Sequence, residues 1–107
     1  MATSRVRTYE TEKAFLDAVV ELATLCQWLV YHTYDSRRSQ AGFPDLVLVK
    51  KKQLIFAELK TNKGRLRPEQ REWLDMIGLM ADDCTNVGIY LWRPSDWDTI
   101  EKLLTGQ

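Results

Sequence analysis

Histidine and cysteine are scarce in this sequence, and their scarcity excludes several kinds of site. The single histidine, His32, has no second histidine to form a zinc site and no context that indicates a Ser-His-Asp triad, so we expect it to be structural. The two cysteines, Cys26 and Cys84, lack the short spacing of metal ligands and indicate reduced thiols. A glycine-rich phosphate loop of the Walker type is also missing.

Long apolar runs are absent as well. None approaches the roughly 18 residues of a membrane span, and the first residues contain no apolar stretch typical of a secretory signal. We therefore expect neither a membrane partner nor secretion. The chain of 107 residues suits a single domain over residues 1–107 with a modest core.

The charge is balanced overall but unevenly distributed. The chain has 15 basic and 15 acidic residues, and residues 36–71 hold ten of the basic ones and only three of the acidic ones. A polarised chain of this kind can present one surface to a polyanion; the alternative is a set of solvated lysines on turns and loops. Arginine suits phosphate oxygens, and we expect phosphate contacts from Arg37, Arg38, Lys63, Arg65 and Arg67.

Apolar periodicity and turn residues predict the order αβββαβα. The predicted helices cover residues 8–26, 68 to about 81, and 95 to Gly106; the predicted strands cover residues 28–34, 45–49, 54–60 and 87–92. The polar run 50–53 favours an antiparallel hairpin between the second and third strands. The last strand is apolar enough to be buried on both faces. The sequence thus predicts an α/β domain with a mixed sheet flanked by helices.

Two carboxylates and a lysine fall on one face of the predicted hairpin. If Val49 pairs with Leu54, then Asp45 lies directly opposite Glu58, and Lys60 shares their face because side chains alternate along a strand. Like charges opposite each other destabilise a sheet, and a divalent cation such as Mg²⁺ would remove the conflict. Lys60 could then assist a water nucleophile. The alternative is a turn residue after Pro44 and two solvated strand residues.

Two further polar residues lie on apolar helix faces. Glu12 aligns with the buried stripe of the first helix, and Gln70 aligns with that of the second. Buried polar groups need partners, so we expect Glu12 to reach a metal, a water on that metal, or Lys60. We expect Gln70 to bind the water, the lysine or a phosphate. The alternatives are helix-dipole stabilisation for Glu12 and a capping box for Gln70.

These motifs resemble those of the VRR-NUC family, the virus-type replication-repair nuclease branch of the PD-(D/E)XK superfamily. The residues that carry the resemblance are Gly42-Phe43-Pro44-Asp45, then Glu58-Leu59-Lys60, Gln70 on a helix, Glu12 on the first helix, and Arg93-Pro94-Ser95-Asp96-Trp97. The resemblance implies a restriction-endonuclease-like fold and phosphodiester hydrolysis that depends on Mg²⁺ or Mn²⁺. It implies that Asp45, Glu58 and the backbone carbonyl of Leu59 ligate the metal, that Lys60 assists the water, and that Glu12 and Gln70 complete the site.

Compact stand-alone members, seen in phages and bacteria, look like homodimers that cleave branched DNA such as Holliday junctions. The resemblance therefore implies a structure-specific DNA endonuclease in the cytoplasm, or in the host cytoplasm if a phage encodes it. Two alternatives remain open. One is a non-catalytic DNA-binding or assembly protein on the same fold, and the other is a sequence-specific restriction-type nuclease.

Overall fold

The computed structural model describes Tyr9, residues 11–33 and residues 39–107. Its elements are α1 (Glu12–Leu25), β1 (Leu29–His32), β2 (Leu46–Lys50), β3 (Gln53–Leu59), α2 (Pro68–Asp82), β4 (Val87–Trp92), a short 3₁₀ helix (Pro94–Asp96) and α3 (Trp97–Thr105). The predicted α/β class with a mixed sheet is confirmed. None of the helices in the described part of the chain combines the length and the apolar character that a bilayer span needs.

The strands form one sheet in the order β1-β2-β3-β4. The β1–β2 and β2–β3 pairs are antiparallel, whereas β3 and β4 are parallel. A parallel pair needs a crossover connection, and α2 provides it. In the β2–β3 hairpin Val49 pairs with Leu54, so the predicted register is confirmed.

The core lies between the sheet and two of the helices. Phe15, Val19 and Ala23 of α1 and Ile100 and Leu104 of α3 join one buried cluster with the alternate residues of β2 and β3. A hydrogen bond from the indole Nε1 of Trp28 to the carbonyl of Leu104, at 2.9 Å, ties the end of α3 to the segment after α1. Helix α2 packs on the opposite face of the sheet.

Several predicted boundaries need correction. The first helix begins at Glu12 with Thr11 as its N-cap, where the Thr11 hydroxyl accepts from Ala14 N–H at 3.0 Å; residues 8 and 10 lie outside the described part. The last helix begins at Trp97 rather than Ser95, because Asp96 accepts from the backbone N–H of Arg93 at 2.9 Å and stabilises a 3₁₀ turn first. Its predicted end is correct, with Gly106 at a φ of 79°.

The prediction that the last strand is buried on both faces is wrong. Within the described sheet β4 is an edge strand, and only Trp92 of its six residues is buried. Its apolar character therefore reflects packing against α2 on one face and partial cover on the other.

Candidate active site

Asp45 and Glu58 meet at one end of the β2–β3 hairpin. Leu46 and Ala57 form the last pair of the ladder, so Asp45 and Glu58 stand one step beyond it on a shared face. Asp45 is fixed there because its Oδ2 accepts from the backbone N–H of Leu59 at 2.8 Å. Glu58 is only 1% exposed, whereas Asp45 is half-buried. The structure thus brings the two predicted carboxylates together.

This environment strongly disfavours the ionised form of Glu58. Burial, together with the negative charge of Asp45, raises the pKa of Glu58 from 4.5 to about 8. The Lys60 ammonium acts in the opposite direction and offsets only part of it. A divalent cation bound between Glu58 and Asp45 would relieve the repulsion between their negative charges and favour the ionised form of Glu58.

The two oxygens of Glu58 have different surroundings. Oε2 accepts from the amide Nε2 of Gln70 at 2.8 Å. Oε1 is buried, and none of the described residues donates a hydrogen bond to it; a side-chain hydrogen bond with Asp45 favours the protonated form of Glu58. A buried, unpaired carboxylate oxygen is costly, and its chemistry fits a ligand of a hard divalent cation.

The protein offers such a cation few ligands of its own. In the described part of the chain no three His, Cys, Asp or Glu side chains are grouped closely enough to hold a metal by themselves. Asp45, Glu58 and the carbonyl of Leu59 would leave the remaining positions to water and phosphate. That ligand set suits Mg²⁺, which usually keeps several waters and binds one or two carboxylates together with substrate phosphates.

Lys60 and Glu12 form the next layer of the site. The Nζ of Lys60 lies 3.8 Å from Oε2 of Glu12. The Lys60 side chain is 7% exposed and that of Glu12 is 50% exposed. Of the three partners predicted for Glu12, the structure shows Lys60. The prediction that Glu12 lies on the buried stripe of α1 is wrong, because its side chain is exposed. The Glu12 carboxylate sits at the rim, where it balances the charge of a buried ammonium.

Gln70 makes the capping contact that was its alternative prediction, and it also contacts Glu58, which was not among its predicted partners. Its Oε1 accepts from the backbone N–H of Arg67 at 2.9 Å, which is half of a capping box. Its Nε2 donates to Glu58. The amide therefore links the start of α2 to the carboxylate on β3. Arg67 contributes no side-chain acceptor, as its chemistry requires.

The Gly42-Phe43-Pro44-Asp45 segment is held against α2 by close packing. Gly42 has a φ of +96°, and a Cβ atom there would lie 2.4 Å from the carbonyl oxygen of Glu69. The Phe43 ring packs edge-on against Trp73 with centroids 5.1 Å apart. Gly42 belongs to the motif that carries the family resemblance, and the motif alone assigns it no physical role. In the structure the glycine allows the backbone before Asp45 to touch the first turn of α2.

The basic residues lie partly where they were predicted. Lys63, Arg65 and Arg67 are exposed in the segment between β3 and α2, directly after Lys60. Arg67 also lies 3.5 Å from Glu69 through its Nε. Arg37 and Arg38 lie outside the described residues. Two other basic residues of the described part, for which no phosphate contact was predicted, donate to backbone carbonyls.

The first of these is Lys50, whose Nζ donates to the Cys26 carbonyl at 2.7 Å at the end of α1. The second is Arg93, whose Nη1 donates to the carbonyls of Thr61 and Gly64. These contacts of Arg93 were not predicted, since nothing in the local sequence indicates that it reaches a segment some thirty residues earlier.

Comparison with known families gives an independent result. A model of the VRR-NUC domain matches residues 5–80 of the chain, which is more than half of its length and includes Asp45, Glu58, Lys60 and Gln70. No curated protein matches the chain.

Proposed function

The chain belongs to the VRR-NUC family and so carries a nuclease domain acting on DNA, and on that premise we propose that it is a divalent-metal-dependent endonuclease of branched DNA. The observation that carries the proposal is the burial and hydrogen bonding of the Glu58 carboxyl group. It is buried beside Asp45, one of its oxygens is fixed by Gln70, and none of the described residues donates a hydrogen bond to the other. Mg²⁺ or Mn²⁺ is the group that this donor set fits.

Each side chain of the site then has a defined task. Asp45 and Glu58, with the Leu59 carbonyl, would hold the metal, and a metal bound there would supply polarisation of the phosphate and a lower pKa of water. Gln70 orients Glu58 through Oε2 and leaves Oε1 directed at the metal position. Lys60 holds the attacking water and balances charge on the phosphate through its Nζ. Glu12 keeps that ammonium in place from the rim of the site.

The loop after Lys60 supplies the contacts to the DNA backbone. Both Lys63 and Arg65 are exposed; Lys63 lies in the turn at residues 61–64 that follows Lys60, and Arg65 comes directly after that turn. Contacts to phosphates position a nucleic acid without reading its sequence, which agrees with recognition of a DNA structure rather than a sequence. We assign Arg67 to the same role, and Arg37 and Arg38 as well from outside the described part.

A homodimer would place two such sites about a two-fold axis, which suits a symmetric four-way junction. The support is an apolar surface on the face of the sheet opposite to α1 and α3. Leu29 and Tyr31 of β1 are 74% and 61% exposed, and Val49 lies beside Leu29 on β2. Exposed apolar patches of this kind mark interaction sites.

The test is a cleavage panel of four-way junction, flap and linear duplex DNA with Mg²⁺, Mn²⁺ or a chelator. Wild type should cut the junction only with metal, and Lys60→Ala should lose at least about a hundredfold in rate. The exposed Lys102→Ala on α3 serves as the matched control and should cut normally. Gel filtration of the same samples gives the mass of the assembly.

Three results would overturn the proposal or part of it. Equal activity of wild type and Lys60→Ala removes the catalytic assignment. Junction binding that survives Asp45→Ala, without any metal-dependent cleavage by wild type, favours the non-catalytic DNA-binding protein. Discrete fragments from linear DNA of random sequence would favour the restriction-type nuclease.

A further inference from the structure

Arg93 is joined to the loop that follows the buried lysine. Its Nη1 donates to the carbonyl oxygens of Thr61 and Gly64, each at 2.7 Å. The same loop residues close a turn, because Gly64 N–H donates to the Thr61 carbonyl at 3.1 Å. One guanidinium nitrogen, at the end of the neighbouring parallel strand β4, therefore fixes both ends of the turn.

This attachment has a second point. The backbone N–H of Ser95 donates to Oδ1 of Asn62 at 3.0 Å, and the backbone of Arg93 is itself held by Asp96. The segment after β4 thus holds the turn at residues 61–64 by hydrogen bonds from the Arg93 side chain and from the Ser95 backbone N–H. A hydrogen bond from a charged group is stronger than a neutral one, so Arg93 makes the larger contribution.

The turn lies directly on the stem of Lys60. A Cβ atom added to Gly64 would be 3.4 Å from both Cβ and Cδ of Lys60. The aliphatic stem is therefore covered by the backbone of the turn, which agrees with the 7% exposure of the Lys60 side chain. The stem has little room to change rotamer while the turn is closed.

We propose that Arg93 is a positioning residue: by closing the turn at residues 61–64 over the stem of Lys60, it holds the Lys60 ammonium beside Glu58 and Glu12. The catalytic part of this inference rests on the proposed function of Lys60. Arg93 is not assigned to DNA, because its Nη1 is already committed to two carbonyl oxygens and the residue is half-buried.

The test compares Arg93→Gln with Arg93→Lys. Glutamine has no charge and a shorter reach, whereas a lysine ammonium can donate to the same carbonyls. A displacement of about 1 Å can reduce a rate a hundredfold, so kcat of Arg93→Gln should fall about 10- to 100-fold. KM should change less than threefold, because exposed Lys63 and Arg65 still meet the phosphates. Arg93→Lys should recover most of kcat.

A second measurement does not depend on catalysis. Lysines of the DNA-free protein are labelled with an acetylating reagent and quantified by mass spectrometry. In Arg93→Gln the labelling of Lys60 should rise at least about fivefold, since burial limits its access to the reagent. The labelling of Lys50, tied to Cys26 at the far end of the sheet, should not change.

The outcomes distinguish the positioning role of Arg93 from the proposed nuclease function. Unchanged labelling of Lys60 in Arg93→Gln overturns the positioning role. An equal rise in the labelling of Lys60 and Lys50 also overturns it, because that result indicates general loosening of the fold. A rise at Lys60 alone, with kcat reduced and restored by Arg93→Lys, supports it. If wild type cuts no DNA but the labelling changes as expected, the proposed function fails while Arg93 still positions Lys60.

Discussion

Replacing Glu58 by glutamine should stabilise the metal-free protein while it abolishes the response to metal. Glutamine has the same shape as glutamate and no charge. Its amide oxygen can accept from Gln70 Nε2, as Glu58 Oε2 does at 2.8 Å, and its NH₂ group can donate to Asp45. The variant thus keeps the packing of the site and removes the buried negative charge.

The magnitude follows from the pKa of Glu58, which burial and the Asp45 charge raise from 4.5 to about 8. A group with a raised folded-state pKa binds more protons in the native protein than in the unfolded chain. Its stabilising effect is complete below pH 4.5 and is lost as the pH rises to about 8. At about 1.4 kcal/mol per pKa unit the loss is on the order of 4 kcal/mol, a large part of the stability of a small domain.

The assay is urea unfolding followed by tryptophan fluorescence, with a chelator, at pH 4.5, 6.5 and 8.5. The free energy of unfolding of Glu58→Gln relative to wild type should rise by about 3–5 kcal/mol across this range. At pH 8.5, Mg²⁺ should stabilise wild type and leave Glu58→Gln unchanged. The exposed Glu101→Gln is the control and should follow wild type. Parallel stability profiles for wild type and Glu58→Gln would refute the reasoning.

Four further predictions concern the rest of the site. Because metal competes with the proton on Glu58, a tenfold increase in Mg²⁺, at concentrations above the Kd of the ionised site, should lower the midpoint of the pH–rate profile by about one unit; a fixed midpoint contradicts this. Gln70→Ala should reduce the cleavage rate at least about tenfold and stability by about 1–2 kcal/mol in thermal unfolding, since two hydrogen bonds are lost. Gly42→Ala should lower the free energy of unfolding by at least about 2 kcal/mol, because the φ of Gly42 is positive and the added Cβ meets the backbone of α2. A Tm within 2 °C of the wild-type value, which corresponds to roughly 0.5 kcal/mol or less, would show that the loop adapts. Double replacement of Lys63 and Arg65 by glutamine should reduce the salt dependence of DNA binding, measured as the slope of log K against log salt, by about two.

The hairpin register could be predicted because it depends on local chemistry. Alternating apolar residues on β2 and β3 and a short polar turn between them leave few pairings that bury one face. The turn itself contains neither glycine nor asparagine, and Lys51 adopts a φ of 55°. The register of the strands therefore determined the turn conformation, and the predicted opposition of Asp45 and Glu58 followed from that register.

The contacts between distant parts of the chain could not be predicted in this way. The approach of Gly42 to Glu69, the reach of Arg93 to Gly64 and the edge position of β4 depend on how finished elements pack. For Gln70, periodicity placed the amide on the sheet-facing side of α2, but the sequence could not decide between a capping and a site role. The structure joins the two roles because each half of one amide serves a different partner.

The central claim is that Asp45 and Glu58 together bind a divalent cation for DNA cleavage. Binding of Mn²⁺ is measured directly by the loss of the free-ion electron paramagnetic resonance signal, with junction DNA present and Lys60→Ala to prevent turnover. We predict that Mn²⁺ is taken up by Lys60→Ala and that additional replacement of Glu58 by glutamine weakens the uptake at least about tenfold at pH 7.5. Equal uptake by both proteins, or none by either, would contradict the account.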